Sequence, residues 1–450
     1  MTLESTRPRE TWPALDALAV RTLGTCPHPT SVHQQSHPLV DENDRILLCS
    51  TTEEARPFLE QSLPLPSFEP AGPRSRLYFD PPQVNAAVLT CGGLCPGLNN
   101  VVRAVVLQLV YAYGVRRILG MRYGYAGLSR AREAPLPLTP DLVEGLHEHG
   151  GTLLGSSRGP QDVGEMIETL QTLGISLLFV IGGDGGLRGA SAIANEIIRR
   201  KLDIGVIGIP KTIDNDLDWI WRSFGFDTAV GAARQAIVAA HDEARGVRGG
   251  IGMVKLMGRH SGFIAAHATL ACSDVNFCLV PEVPFSLEGE SGFLQCLERR
   301  LADKHHAVVV VAEGAGQELI ASSGPSQKDK SGNLLLKDIG AHLRQEINRY
   351  FDTRGIEAPI RYIDPSYMIR SLPASSFDAQ LCLALGQHAV HAGMAGKTDM
   401  LVGSWNQRFT HVPIPLAVAN RKRLDPESEI WKRVLETTGQ PASMLAAPKP

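Results

Sequence analysis

The chain has 450 residues, 43% of them hydrophobic and 20% charged, with a formal net charge of −3. That length exceeds what one hydrophobic core usually serves, so two domains, or one with extensions, are expected; the composition excludes disordered, coiled-coil and membrane classes. No basic excess is present to hold a polyanion, which argues against nucleic acid as the partner and leaves small anionic ligands open.

Residues 1 to about 80 are rich in proline, notably in ARPFLEQSLPLPSFEPAGP, and carry little periodicity, so they read as an irregular extension. The first residues mix Glu4, Glu10 and Asp16 with arginines around no long apolar run, which fits neither a secretory signal nor an acid-poor transit peptide. No apolar stretch is long enough for a bilayer. The eight cysteines lack the paired short spacings of a zinc site, so a reduced pool and a cytoplasmic location are expected.

From Val84 onward β and α patterns alternate. AAVLT reads as a strand, CGGLCPG as a glycine-rich turn and LNNVVRAVVLQLVYAYG as a helix. LLFVIGG (177–183), DIGVIGIP (203–210), IGMVKLM (251–257), AVVVVAEG (307–314) and MLVGSW (400–405) read as strands, with helices after Gly183 and near 228–245, 260–271, 287–302 and 375–395. SSGPSQKDKSGN (322–333) reads as a surface loop. Continuous apolar strands separated by helices predict an α/β fold with mainly parallel sheets covered on both faces.

Ligands of such folds bind beyond the carboxyl ends of the strands, where three segments stand out. TCGGLCPGLN lets backbone approach an anion at a helix start, or serves only as a tight turn. GGDG (182–185) places Asp184 either to meet Mg²⁺ held by nucleotide phosphates or to cap the helix that follows. PKTIDND (210–216) gathers Lys211, Thr212, Asp214, Asn215 and Asp216 at one strand end, the base and charges that phosphoryl transfer to an alcohol needs, with Asp214 the natural base; a plain Asp/Asn-rich turn is the alternative.

These segments, with GTLLGSSRG, KLMGRHSGFIA, AEGAGQ and YIDPSYMIRS, occur in the order seen in phosphofructokinases, and the chain resembles that family over roughly residues 75–425. The resemblance implies two similar α/β domains, about 81–227 plus 371–425 and 228–370, with a C-terminal segment from 426, a cleft between the domains, and a homo-oligomer. It implies MgATP-dependent phosphorylation of fructose 6-phosphate at the 1-hydroxyl. Carried over by motif, Gly93, Arg158, Gly159, Gly183, Asp184, Gly185 and Gly186 would meet the nucleotide, with Asp184 on Mg²⁺. Asp214 would be the base, Asp216 a second carboxylate, and Thr212 and Ile213 their neighbours at the sugar. Arg259, in Met257-Gly258-Arg259, would lie over the transferring group, with Met257 and Gly258 at the substrate, and Glu313 would bind sugar hydroxyls. Arg361, Tyr367 and Arg370 would grip the existing phosphate, with Met368 and Ile369 between them also in the substrate site. His260 and His267 lie outside this set and are expected to pack or face solvent.

Within the family, Gly185 marks ATP enzymes, since Asp there would crowd the α-phosphate, whereas Lys211 is typical of pyrophosphate enzymes. The pairing resembles the ATP-dependent enzymes of plants and trypanosomatids. Gly186 and Leu187 depart from the usual Thr and Gln, and Gly250 stands where short bacterial enzymes carry a cross-subunit arginine, with Arg245 and Arg248 nearby. The rival readings are a pyrophosphate-dependent enzyme and a catalytically silent regulator; retention of Asp184, Asp214 and Arg259 argues against the second. A nicotinamide dehydrogenase lacks its G-x-G-x-x-G after the first strand.

Overall fold

The computed structural model describes residues 12–32, 39–130, 133–320 and 334–445; the polar stretch 322–333 lies outside them. The chain begins with β1 (Arg21–Thr22), β2 (His28–Pro29), β3 (Ile46–Leu47), α1 (Thr52–Glu60), β4 (Ser67–Pro70) and β5 (Arg76–Leu77). It continues through β6 (Asn85–Thr90), α2 (Leu98–Tyr113), β7 (Arg117–Gly120), β8 (Leu136–Pro137), α3 (Val163–Thr172), β9 (Leu177–Gly182), α4 (Asp184–Arg199) and β10 (Gly205–Pro210). Then come α5 (Phe226–Arg245), β11 (Gly250–Leu256), α6 (Phe263–Cys272), β12 (Phe277–Leu279), α7 (Phe293–Lys304), β13 (His306–Ala312), α8 (Ile339–Asp352), β14 (Ile360–Ile363) and α9 (Ser366–Arg370). The last elements are α10 (Ser376–Met394), β15 (Lys397–Thr398), β16 (Met400–Trp405), β17 (Arg408–Pro413), α11 (Ile414–Ala417) and α12 (Glu429–Thr438).

Two sheets organise these elements. The larger has the order β3-β4-β17-β16-β10-β9-β6-β7-β8. Its centre, β16 to β7, is parallel, while β17, β4 and β3 on one side and β8 on the other join antiparallel. The smaller, β12-β13-β11-β14, is parallel throughout. Every residue of β9 and β10 is buried, as continuous apolar strands between two helical layers require. The helix expected from 287 starts only at Phe293, because Gly289 turns at φ 102° and interrupts the helical path before it.

Among the described residues before 80, the expected irregular extension contains short ordered strands and one α-helix. Its order comes from distant partners: β1 pairs with β15, and β4 pairs with β17, extending the large sheet. Prolines are tolerated there because these are short strands at or near an edge. At the other end α12 packs against α6, and Gln440 exchanges hydrogen bonds with the backbone of Cys278 (2.6 and 3.3 Å), which fastens the C-terminal segment to the smaller sheet.

Candidate active site

β6 is a switch point: the chain leaves it for β7 on one side and returns to β9 on the other, opening a crevice at its carboxyl end. The glycine-rich turn fills that end. Gly97 starts α2 at φ 102°, and a Cβ there would stand 2.6 Å from Cys382 Sγ and 2.9 Å from the Phe224 ring, so only glycine fits. Gly92, Gly93 and Leu94 line a cavity of about 490 Å³ with Gly151, Thr152 and Gly155–Arg158. A Cβ at Gly93 would lie 3.3 Å from Arg158 Nη2, which puts a backbone turn and a cation against the same space; Gly159 follows at φ 104°. Burial pushes the Cys91 and Cys95 thiols up to about 12, as expected of packing residues rather than nucleophiles.

The alternative of Asp184 as a helix cap is settled by geometry. Gly183 is the N-cap of α4 and no side chain caps it; Asp184 is already helical. Its carboxylate instead meets Arg188 through Oδ1 at 3.1 Å and Arg421 through Oδ2 at 3.4 Å. No atom lies within 4 Å of where a Cβ on Gly185 would stand, and Tyr125 donates to the Gly186 carbonyl at 2.5 Å. Leu187, which stands where Gln is usual, is fully buried in the core. Among the described residues no three metal-ligating side chains cluster. One carboxylate beside open space and an uncapped helix start suits a magnesium ion that takes its other ligands from water and phosphate.

The PKTIDND turn follows β10 directly. Lys211 is buried and its Nζ donates to the Gly93 carbonyl at 2.9 Å, tying this turn to the first one. Asn215 adopts a left-handed conformation (φ 54°), which Asn tolerates better than most residues, while its Oδ1 accepts from Ser223 N at 2.9 Å. Ser223 Oγ in turn donates to Thr212 O at 2.5 Å. Pinned in this way, the turn presents Asp214 with Oδ1 enclosed and without a hydrogen-bond partner. Burial, followed by the negative charges of Asp216 and Glu313, pushes the Asp214 carboxyl up to about 7, against the opposing pull of Arg370 and Lys211. A carboxylate poised there accepts a proton readily at neutral pH.

The smaller sheet supplies the opposite wall. Met257–Arg259 follow β11 and Glu313 follows β13, and Ser261 Oγ donates to the Asp214 carbonyl at 3.2 Å, linking the turn after β11 to the turn after β10. Arg370, at the end of α9, sets Nε 3.3 Å from Met257 Sδ. Ile213 and Ile369 are buried. The Arg259 guanidinium donates to the Leu334 carbonyl. Gly314 makes room for this turn, since a Cβ there would come 2.0 Å from the Arg259 carbonyl oxygen, and its N–H donates to Gly258 O at 3.1 Å. His267 packs edge-on against Phe226, and His260 lines a pocket with Arg259, Glu282 and Arg423.

A single chain therefore brings Lys211, Thr212, Asp214, Asp216, Met257, Glu313 and Arg370 together. Arg361, on edge strand β14, pairs with Glu243 at 3.4 Å, and Tyr367 and Met368 are 85% and 73% exposed. Arg421 was missed by motif reasoning. It stands in the basic run Arg421–Arg423 just beyond the last strand, a pattern that reads as ordinary surface, yet it reaches both Asp184 and Asp216 at 3.4 Å.

Comparison with known proteins bears on this arrangement. The phosphofructokinase family model matches residues 85–393. The chain is similar to an ATP-dependent 6-phosphofructokinase of Amycolatopsis methanolica, 48% identical over 96% of both chains. It is also similar to ATP-dependent 6-phosphofructokinase 7 of Arabidopsis thaliana, 49% identical over 83% of this chain and 77% of that one. Among solved structures, a pyrophosphate-dependent phosphofructokinase from Marinobacter aquaeolei shares the fold with a TM-score of 0.65 at 20% identity, covering 81% of this chain and 93% of that one. With the family model spanning well over half of its length and near-full-length relatives at almost half identity, the chain belongs to the phosphofructokinase family.

Proposed function

We propose that this protein is an ATP-dependent 6-phosphofructokinase, which converts fructose 6-phosphate and ATP to fructose 1,6-bisphosphate and ADP. The observation that carries the reading is Asp214, a carboxylate with one enclosed oxygen that has no hydrogen-bond partner, raised to about 7, at the meeting of both sheets' strand ends. It takes the proton of the sugar 1-hydroxyl as that oxygen bonds to the γ-phosphorus and the bond to the ADP oxygen breaks. Glu313 and Met257 face the sugar. Arg370 balances the charge of its existing phosphate, and Gly93, Arg158 and the uncapped start of α4 receive the nucleotide phosphates. Arg259 serves the transferring group once its guanidinium turns from the Leu334 carbonyl.

Asp184 is the residue that would hold Mg²⁺, which when bound neutralises phosphate charge and polarises the transferring group. ATP is favoured as donor by the open space at Gly185 and by relatives named as ATP-dependent at 48% and 49% identity, whereas the pyrophosphate enzyme is a fold neighbour at 20%. Lys211, the residue that favours pyrophosphate, is buried on the Gly93 carbonyl and serves here to join two loops. We further assign the protein to the cytoplasm; among the described residues no helix is long and apolar enough to cross a membrane. A homo-oligomer fits the outward placement of Tyr367 and Met368, a face that a second copy would cover.

The test is phosphorylation of fructose 6-phosphate by purified protein with Mg²⁺, with ATP and pyrophosphate supplied in separate reactions. Fructose 1,6-bisphosphate from ATP alone is expected. Product from pyrophosphate alone reverses the donor assignment, and none from either withdraws the kinase reading.

A further inference from the structure

Two carboxylates from different strand ends share one cation. Arg421 Nη2 lies 3.4 Å from Asp184 Oδ2, and its Nη1 lies 3.4 Å from Asp216 Oδ2. The segment that delivers Arg421 is tied down on several sides. Arg421 forms an antiparallel bridge with Leu217, and Lys422 N donates to Asp216 O at 3.0 Å. Lys422 Nζ donates to the carbonyls of Ile220 and Trp221 (3.3 and 3.0 Å), and Leu424 N donates to Glu282 Oε1 at 2.9 Å. The main chain that carries Arg421 is thus held beside Asp216 itself, and its guanidinium spans the two carboxylates. Arg188 also reaches Asp184, at 3.1 Å from the same helix, and donates to the Val418 carbonyl, but 54% of its side chain is exposed, whereas Arg421 spans both carboxylates.

We infer that Arg421 is the resident counter-ion of the Asp184–Asp216 pair. Before substrates arrive it holds the two carboxylates in place and opposes entry of a bare divalent cation, so that the metal enters as its nucleotide complex. The physical reason is charge. A lone divalent ion at Asp184 must sit beside a fixed guanidinium, whereas a nucleotide brings phosphate charge that compensates both cations. Arg421 is in this sense a positioning residue, and the inference rests on the reading of Asp184 as the metal carboxylate.

The experiment measures Mn²⁺ binding to the full chain without nucleotide, by electron paramagnetic resonance of the free ion. Arg421→Met is expected to bind Mn²⁺ about tenfold more tightly than the parent, the scale on which one charge within ~4 Å of a carboxylate acts. In Asp184→Asn/Arg421→Met the gain should vanish, which locates the ion. Arg421→Lys, which keeps the charge but reaches only one carboxylate, should fall between parent and Arg421→Met, and it carries the test if the methionine variant does not fold. Equal Mn²⁺ affinity in the parent and the folded single variants overturns the inference, as does a gain that survives loss of Asp184. Product formation from ATP by the parent is scored separately. An active parent whose folded Arg421 variants gain no Mn²⁺ sinks the counter-ion alone, and an inactive parent with the expected gain sinks the kinase reading alone.

Discussion

The Thr212 hydroxyl donates to Asp216 Oδ1 at 2.5 Å, while Asp214, two residues earlier than Asp216 on the same turn, keeps an enclosed oxygen with no hydrogen bond. One short turn thereby holds two carboxylates in different surroundings, one bonded and ion-paired, the other isolated. Divergent environments of this kind separate the roles of paired acids. Because the charge of Asp216 adds to burial in raising Asp214, Asp216→Asn should lower the Asp214 pKa toward the ordinary carboxylate range. The acid limb of kcat/KM then moves to lower pH, by up to about one unit, since the base stays ionised further into acid. An unmoved limb would show that Asp216 does not act on Asp214.

Asp214→Asn should reduce kcat by about 10²–10⁴-fold while MgATP still binds, because the change removes the proton acceptor and preserves the shape of the turn. It should also change stability, with a definite sign. A carboxyl raised to about 7 in the folded protein favours folding fully below its ordinary pKa near 4, and that contribution is lost as pH climbs through 7. The asparagine variant is therefore expected to melt higher than the parent at pH 8, with the difference closing near pH 4. Scanning calorimetry at the two pH values checks this, and a variant that melts lower at pH 8 would contradict the buried-charge account.

The parts of this site that a sequence displays are those where strand, turn and charge lie close together in the chain. GGDG and PKTIDND each end a run of buried β-residues, so Asp184, Lys211 and Asp214 could be placed at strand ends without a structure. Arg421 could not, because its partners Asp184 and Asp216 lie 237 and 205 positions away and a basic run carries no mark of what it faces. The strands before residue 80 were hidden for the same reason: β4 has only four residues, it follows Pro66 and ends on Pro70, and its order comes from β17, more than three hundred residues later. Short edge strands lack the local pattern that period-based reading depends on.

Gly185→Asp should cut kcat/KM for ATP by about 100-fold, the scale of a lost transition-state contact worth about 3 kcal/mol. The space around the Gly185 Cβ position is open, and an acidic residue in the first turn of a helix is favourable, so the melting temperature should hold or rise slightly. Loss of ATP use in a fully folded variant assigns the effect to repulsion at the α-phosphate. Unchanged ATP kinetics would remove Gly185 from the donor argument.

Glu69 is the residue on which the N-terminal strap depends. It sits on β4 directly opposite His411 of β17, 2.8 Å from Lys397 Nζ and 3.4 Å from His411 Nδ1, with buried Arg74 Nη2 at 3.9 Å. Burial alone would raise its carboxyl, but the hydrogen bonds from His411 and Lys397 prevail and hold it at about 2. A carboxyl depressed in this way stabilises the fold above its ordinary pKa near 4.5, and the contribution fades as pH falls toward 2. Glu69→Gln leaves Arg74 and Lys397 with the more exposed Glu42 as counter-charge, at 3.2 and 3.9 Å, so the loss is expected to fall below the roughly 3–5 kcal/mol of a buried charge left wholly unpaired. The strap also packs Phe68 edge-on against Trp219 at 5.9 Å and Trp12 against the same ring at 6.4 Å, and Trp219 stands three residues beyond Asp216. Loosening the strap should therefore expose its chain to limited proteolysis at neutral pH and reduce kcat together with stability, with the difference from the parent shrinking in acid. Protease resistance equal to the parent at pH 7 would show that the strap is held by its apolar contacts alone and that the ion network is dispensable.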